Sequence, residues 1–360
     1  MGKWSVAVAG ATGYAGGEIV RILASHPECE VTCVAGHSSA GSRFGDLMPH
    51  IPTLADMVVQ DTTPETLNGH DVVVLALPHG ASGAIAAELD PDAYVIDLGA
   101  DHRLESQEDW DAFYGGDFYG SWEYGLPELI LGPAGAGEKA RQRDRLAGAR
   151  RIAAAGCNVT AVTLAMQPAM ANGLVDASTL VADLAVGYSG AGKNLKRTNL
   201  LASEAINSAV PYSVGGTHRH IPEILQNLRH AAGEPCDAAI CFTPMLVPMS
   251  RGILASVSAC MSERAKAMSD ADIRQAWLDA YADEYFIDVL PEGMLPATQN
   301  VLGSNAAHVQ VVADRASGRI QAFAAIDNLN RGTAGQAVQS LNIALGLDES
   351  TGLTKIGVAP

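Results

Sequence analysis

Ser5-Val6-Ala7-Val8-Ala9-Gly10-Ala11-Thr12-Gly13-Tyr14-Ala15-Gly16 decides the fold. Its first five residues make a short apolar run, the pattern of a strand buried on both faces. The run ends at Gly10, glycines recur at Gly13, Gly16 and Gly17, and Glu18-Ile19-Val20-Arg21-Ile22-Leu23 has helical character up to His26-Pro27. A glycine-rich turn alone is often only a turn. Between a strand and a helix it acquires a chemical meaning. The glycines allow a tight bend and let a pyrophosphate approach the helix N-terminus, where backbone N–H groups point at it. Gly10, Thr12, Gly13, Tyr14, Ala15 and Gly16 are therefore the expected cradle of a dinucleotide.

Further apolar runs follow at Val31 to Gly36, Val72 to Leu77 and Ala93 to Leu98, alternating with helical segments. That alternation predicts a parallel sheet covered on both faces. The end of the second strand selects between the two nicotinamide dinucleotides, because an acidic residue there binds a ribose 2′-hydroxyl. Gly36-His37-Ser38-Ser39-Ala40-Gly41-Ser42-Arg43 has hydroxyls and a cation instead. Ser38, Ser39 and Arg43 fit a 2′-phosphate, so NADP(H) is the expected cofactor. His79 follows Pro78 at the carboxyl end of the third strand, the edge that faces a ligand crevice in such sheets.

Beyond residue 156 the pattern changes. Ala182 to Val186, Ala238 to Phe242, Ile253 to Ser258, His308 to Val312 and Ile320 to Phe323 read as strands, several of them alternating apolar with polar. A second domain with a sheet packed differently on its two faces is expected. We place the first domain at 1–156 and the second at 157–327, and Gly332 to Leu345 reads as a final amphipathic helix. The segment from Gly132 to Gly148, with Lys139, Arg141, Arg143 and Arg145, reads as a surface excursion or linker.

Gly156-Cys157 opens the long apolar segment from Ala161 onward. A thiol at a helix N-terminus faces unpaired N–H groups and the positive end of the helix dipole, which favours the nucleophilic thiolate. His218-Arg219-His220-Ile221-Pro222-Glu223 offers acid/base groups. Glu223 lies three residues beyond His220 and can share its helix face, so His220 is preferred and His218 is the alternate. Ser189-Gly190-Ala191-Gly192-Lys193 is a small-residue loop with a cation, suited to a carboxylate or phosphate. Arg219 and Arg251 are further candidates for a substrate anion, and Arg251 reads equally as a structural ion-pair partner.

The bulk numbers limit the alternatives. A chain of 360 residues exceeds one ordinary core. A net charge of −17 argues against a nucleic-acid partner but not against a small anion in a local positive pocket. Six cysteines without a Cys-x-x-Cys pair, and no signal-peptide pattern, predict a cytoplasmic protein without a disulfide framework. Cys33 and Cys260 read as buried strand residues. No metal site and no membrane segment is expected.

These motifs converge. The chain resembles the N-acetyl-gamma-glutamyl-phosphate reductase family, NADPH-dependent enzymes of arginine biosynthesis. The resemblance rests on the glycine loop, Leu75-Ala76-Leu77-Pro78-His79-Gly80, Asp97-Leu98-Gly99-Ala100-Asp101-His102-Arg103, Tyr124-Gly125-Leu126-Pro127-Glu128 and Gly156-Cys157. It continues in Ser189-Gly190-Ala191-Gly192, the His218 to Glu223 motif, Pro248-Met249-Ser250-Arg251-Gly252 and Gly332-Thr333-Ala334-Gly335-Gln336-Ala337. It implies an α/β chain: a Rossmann-type domain, with the C-terminal helix 328–360 packing back on it, plus an α+β mixed-sheet domain resembling the C-terminal domain of semialdehyde and glyceraldehyde-phosphate dehydrogenases. It also implies a homo-oligomer, dimer or tetramer, and Cys157 as nucleophile. A histidine of the His218/His220 motif becomes the acid/base, and Thr12, Gly13, the Ser38-Ser39 loop, Pro78 and Asn328 become cofactor contacts. The implied substrate is an acyl phosphate, N-acetyl-L-glutamyl 5-phosphate. Aspartyl phosphate, the aminoadipate analogue and a non-catalytic NADP-binding protein are the competing readings. The chain departs from the family at Ala155, where proline is usual, at Asn158-Val159 in place of Tyr-Pro, and at Asn330-Arg331.

Overall fold

A computed structural model describes residues 2–132, 140–193, 200–233 and 236–359. They form two compact units: 1–127 with 145–155 and 333–353, and 128–144 with 156–332 and 354–360. The chain thus passes between units five times, at Pro127/Glu128, Asp144/Arg145, Ala155/Gly156, Gly332/Thr333 and Leu353/Thr354.

The first unit contains β1 (Trp4–Ala9), β2 (Cys29–Ala35), β3 (Val72–Leu75), β4 (Tyr94–Asp97), β5 (Glu123–Gly125) and β6 (Arg151–Ala154) in the order β2-β1-β3-β4-β6-β5. Every pairing is parallel. Parallel strands need helices on their faces. Accordingly Val6 and Val8 of β1 share a core with Ile19 and Leu23 of α1 (Tyr14–Leu23) and with Val338 and Leu341 of the C-terminal helix Gly335–Ala344. Ala7 and Ala9 point into the opposite core with Val73 and Leu75.

The C-terminal helix corrects one expectation. Its sequence alternates as an amphipathic helix does, yet its polar residues Gln336, Gln339, Ser340 and Asn342 are buried as well. They are tolerated because they are bonded: Gln336 Nε2 donates to Ala155 O at 2.8 Å, and Asn342 Nδ2 donates to Thr351 O at 2.9 Å.

The second unit holds β7 (Leu180–Val186), β8 (Val210–Pro211), β9 (Ile240–Leu246), β10 (Ile253–Cys260), β11 (Ile287–Val289), β12 (Ala307–Asp314) and β13 (Arg319–Ile326), in the order β11-β12-β13-β10-β7-β9-β8. The sheet is mixed, with β7–β9 and β11–β12 parallel and the rest antiparallel. Pro244 sits inside β9 because its missing N–H falls on the side of two-residue β8, where its carbonyl accepts Tyr212 N–H at 3.1 Å. Cys33 is buried as expected, whereas Cys260 ends β10 only half-buried.

Helix α2 (Cys157–Ala171) runs through this unit with every residue but Cys157 buried, against α3 (His220–Ala232), α4 (Asp270–Tyr281) and the sheet. Pro168 lies inside α2, so Leu164 C=O loses its usual donor four residues on. Tyr281 Oη supplies one at 2.5 Å, and Trp277 Nε1 donates to the next carbonyl, Ala165 O, at 2.9 Å. We expect Tyr281→Phe to cost about 1–3 kcal/mol in urea unfolding, and less in a Pro168→Ala background that restores the amide donor. Equal costs in both backgrounds exclude this account.

The 132–148 segment is also corrected. Residues 133–139, Lys139 included, lie outside the described residues. Arg141, however, is buried, donating to Ala280 O at 2.6 Å and pairing with Glu284 at 3.3 Å, and Arg143 meets the same carboxylate. Two cations on one buried carboxylate tie residues 140–144 into the second unit, while 145–148 belong to the first. Residues 354–360, read above with the first domain, join the second through Thr354 O and Val358 N.

Candidate active site

The glycine loop of the first unit is shaped by steric need. Gly10 has φ +73°, and a Cβ on it would lie 2.2 Å from Ala76 O; one on Gly16 would lie 2.1 Å from Gly10 O. Only glycine lets β1, the end of β3 and the start of α1 meet this closely. Helix α1 begins on Gly13 with no side-chain cap, so its first-turn N–H groups suit an anion. Tyr14 is exposed at that start and Ala15 follows it. Thr12 Oγ1 and Ser39 Oγ lie 3.1 Å apart, tying the loop to the turn after β2, where Ser38 is exposed.

Arg43 stands differently from its expected role. Its guanidinium meets Asp56 at 2.5 Å and Asp46 at 3.7 Å, so two carboxylates already occupy the cation proposed for a 2′-phosphate. Pro78 and His79 are exposed after β3, with His79 edge-on to Tyr114 at 5.6 Å. What shapes this turn went unread in the sequence: Asp101 accepts Gly80 N–H at 2.8 Å and Gly83 N–H at 3.0 Å. Beneath it Asp97 is fully buried, and burial, opposed by bonds from Ser82 and Gly99, pushes its carboxyl up to about 6.

In the second unit Cys157 is the first residue of α2, partly exposed, behind Gly156 at the N-cap. Gly156 has no side chain to cap with. Fully buried Glu223 reaches across from α3 instead and accepts Gly156 N–H at 2.9 Å. The sequence reading gave Glu223 only to a histidine; the contact to the nucleophile's neighbour had no sequence signal.

His220 opens α3, half-buried, and His218 is buried just before it. His218 Nδ1 accepts His220 N–H at 3.0 Å, and the two rings lie edge-on at 4.8 Å. Tyr212 extends the chain: its ring is 5.5 Å from His218, and its Oη accepts Asn158 Nδ2 at 3.4 Å. Burial above all, with Cys157 adding and Asn158 opposing, pushes the Tyr212 phenol up to about 12. Glu223 thus holds the residue before Cys157, and a chain of contacts runs from His220 through His218 and Tyr212 to Asn158, the residue after it. Tyr212 and Asn158 were not among the expected site residues.

Burial, and secondarily Arg219, lowers His218 to about 4. With Nδ1 accepting, the neutral ring carries its proton on Nε2. Between pH 6.5 and about 4 the unfolded chain binds a proton that the folded chain refuses, so this contribution is intact above 6.5 and lost as pH falls. The loss is at most about 3 kcal/mol. In urea unfolding at neutral pH and at mildly acid pH, His218→Gln is expected to show a smaller acid loss than wild type; equal losses sink the assignment.

The anion candidates separate. Ser189 Oγ accepts Asn328 Nδ2 at 3.0 Å, and Asn328 Oδ1 accepts Gly252 N–H at 2.8 Å, with Gly190 packed alongside. Asn328, expected at the cofactor, is thereby fixed to the substrate-loop candidates of the second unit. Arg251 is held by the buried Asp327 carboxylate at 3.0 Å, the ion-pair alternative of the two that its sequence leaves open. Arg219 and Lys193 are exposed. Among the described residues there is no cluster of three His, Cys, Asp or Glu able to hold a metal, and no helix long and apolar enough to cross a membrane.

Comparison with known proteins places both units. Residues 5–132 match the family described as semialdehyde dehydrogenase, NAD binding domain, and residues 157–328 match semialdehyde dehydrogenase, dimerisation domain. An N-acetyl-gamma-glutamyl-phosphate reductase from Bifidobacterium animalis subsp. lactis is 69% identical, with 100% of each chain covered. One from Leifsonia xyli subsp. xyli is 55% identical over 99% of each. Among solved structures, aspartate semialdehyde dehydrogenase II from Vibrio cholerae aligns with a TM-score of 0.68 at 15% identity, covering 96% of this chain and 99% of that one. At that identity it speaks for the fold alone.

Proposed function

The chain belongs to the N-acetyl-gamma-glutamyl-phosphate reductase family, and from that premise we propose that it reduces N-acetyl-L-glutamyl 5-phosphate to N-acetyl-L-glutamate 5-semialdehyde and phosphate, in arginine biosynthesis. The full-length identity to the Bifidobacterium relative is the observation that carries the substrate.

The chemistry follows from the thiol's surroundings. Cys157 thiolate attacks the acyl carbon, the bond to the phosphate oxygen breaks, and phosphate leaves a thioester on sulfur. N–H groups at the start of α2 stabilise the oxyanion formed on the way. Splitting one displacement into two steps keeps the acyl group attached until it is reduced. NADPH, when bound, supplies the hydride that brings the acyl carbon to the aldehyde level. His220 holds the proton that the thiol gives up and passes it to the reduced oxygen. It withdraws that proton again as the C–S bond breaks.

The glycine cradle at Gly10 and Gly16 supports dinucleotide binding. Ser38 and Ser39, with no acidic residue at the end of β2, favour NADP over NAD; Arg43 contributes less, because Asp56 and Asp46 hold it. The Ser189 loop and Arg219 are the proposed substrate contacts, and Lys193 belongs with them. A homo-oligomer built through the second unit, in the cytoplasm, completes the reading; the match to a dimerisation domain supports it.

The test runs the reaction backward with N-acetylglutamate semialdehyde, phosphate and NADP+, following NADPH absorbance. Turnover is expected, with kcat/KM about 10–200-fold above that for the analogue one methylene longer, and lower again for aspartate semialdehyde or with NAD+. No turnover, or equal use of aspartate semialdehyde, overturns the proposal.

A further inference from the structure

The chain leaves β13 through Asp327 and makes a π-helical turn, Asn330–Ala334, before the C-terminal helix. Such turns are rare, and they recur at functional sites. Gly332 N–H donates to Asp327 O at 2.9 Å, the five-residue spacing of a π-turn. A Cβ built on Gly332 would lie 2.7 Å from Cys157 Cβ and 3.2 Å from Cys157 Cα.

Both features of that contact matter. Gly332 does not have a positive φ, so its backbone conformation does not demand glycine; only space does. The atoms it would strike are fixed to the backbone of the first residue of α2. No side-chain rotation relieves the overlap, so either the helix start or the π-turn must move.

The turn is held at two successive residues before Gly332. Asp327 Oδ1 accepts Leu329 N–H at 2.9 Å and Asn330 N–H at 3.0 Å, and Oδ2 accepts Gly303 N–H at 2.7 Å. One residue on, Arg331, fully buried, pairs with fully buried Glu128 at 2.5 Å. A buried pair of this kind is weak evidence for stability, but it fixes geometry. The backbone that meets Cys157 is therefore not free to retreat.

We propose that Gly332 is a positioning residue for the nucleophile: the clamped π-turn is a backstop against Cys157 Cβ and sets where the sulfur stands relative to the N–H groups of α2. The inference rests on the function proposed above for its kinetic consequence, but not for its chemical one, because thiol alkylation needs no substrate.

The experiment compares wild type with Gly332→Ala. Iodoacetamide labelling of the Cys157 peptide is followed by mass spectrometry across pH 5–9, beside kcat, KM, circular dichroism and NADP+ binding. The expected result is a shifted pH profile for Cys157 labelling and a kcat lowered about 100-fold, as an ångström-scale misplacement produces. KM and NADP+ affinity should stay within a few-fold of wild type. A superimposable labelling profile overturns the proposal, whatever happens to activity. Should Gly332→Ala fail to fold, Arg331→Lys carries the test. It keeps a charge against Glu128 without the guanidinium fork, and a smaller shift in the same direction is expected; an unchanged profile again overturns it. A wild type that labels as described but does not turn over would sink the functional reading and leave this one standing.

Discussion

Cys157→Ser is expected to lower turnover of N-acetylglutamate semialdehyde at least about 1,000-fold while NADP+ binding is unchanged. Serine keeps the Cβ that Gly332 lies against, so the packing at the helix start survives and only the attacking atom changes. A hydroxyl at that position is not ionised near neutral pH, and α2 offers no side-chain base of its own in its first turn. No other cysteine among the described residues opens a helix. Cys29 and Cys33 are buried in the first unit, and burial, helped by Glu28, pushes Cys29 up to about 11. Cys260 receives Arg319 Nη1 at 3.2 Å, and Cys241 sits exposed on β9. Intact-mass spectrometry of wild type mixed with semialdehyde and NADP+, without phosphate, should show a single acyl adduct that Cys157→Ser lacks. Retained activity in the variant, or an adduct on another peptide, sinks the covalent mechanism.

How legible these features were in the sequence depended on how local their causes are. Among the described residues nine strands were readable because Val, Ile and Ala runs with clean edges report burial directly. The four that escaped are short or carry little β signal: Glu123–Gly125, Val210–Pro211 and Ile287–Val289 have two or three residues, and Arg151–Ala154 is half alanine. Pro244 hid the second half of β9, since its tolerance depends on how short the neighbouring strand is. Cys157 and the glycine loop could be read because strand-turn-helix context is written within a dozen residues. Tyr212, Asn158 and the Glu223 bond to Gly156 could not. They are joined across separations of 54 and 67 residues, and no period or motif links such positions. Arg43 and Arg141 show the same limit from the other side. Each reads as a free cation until the fold brings Asp56 or Glu284 to it, and Arg251, for which ion pair and substrate anion are equally open in the sequence, meets Asp327 only in the fold.

His220→Asn should lower kcat about 100- to 10,000-fold, a larger loss than His218→Asn, although the sequence treats the two histidines almost alike. What separates them is the environment of His218. It is buried among Tyr212, Phe242 and His220, its Nδ1 is engaged by a backbone N–H, and it is lowered to about 4. It therefore stays neutral across the working range and cannot take up and return a proton without breaking its bond to His220 N–H. His220 is half-buried at the start of α3, on the same helix as the carboxylate that holds Gly156, so the nucleophile's loop and the proton carrier share one rigid element. The pH profile distinguishes a proton carrier from a structural ring. His220→Asn should erase one limb of the kcat profile, because the group that titrates on that limb is gone. His218→Asn should keep both limbs and lose activity only through a loosened His220. Were His218→Asn to cost as much as His220→Asn and to remove the limb itself, the roles would have to be exchanged, and the about 4 assigned to His218 would have to be abandoned with them.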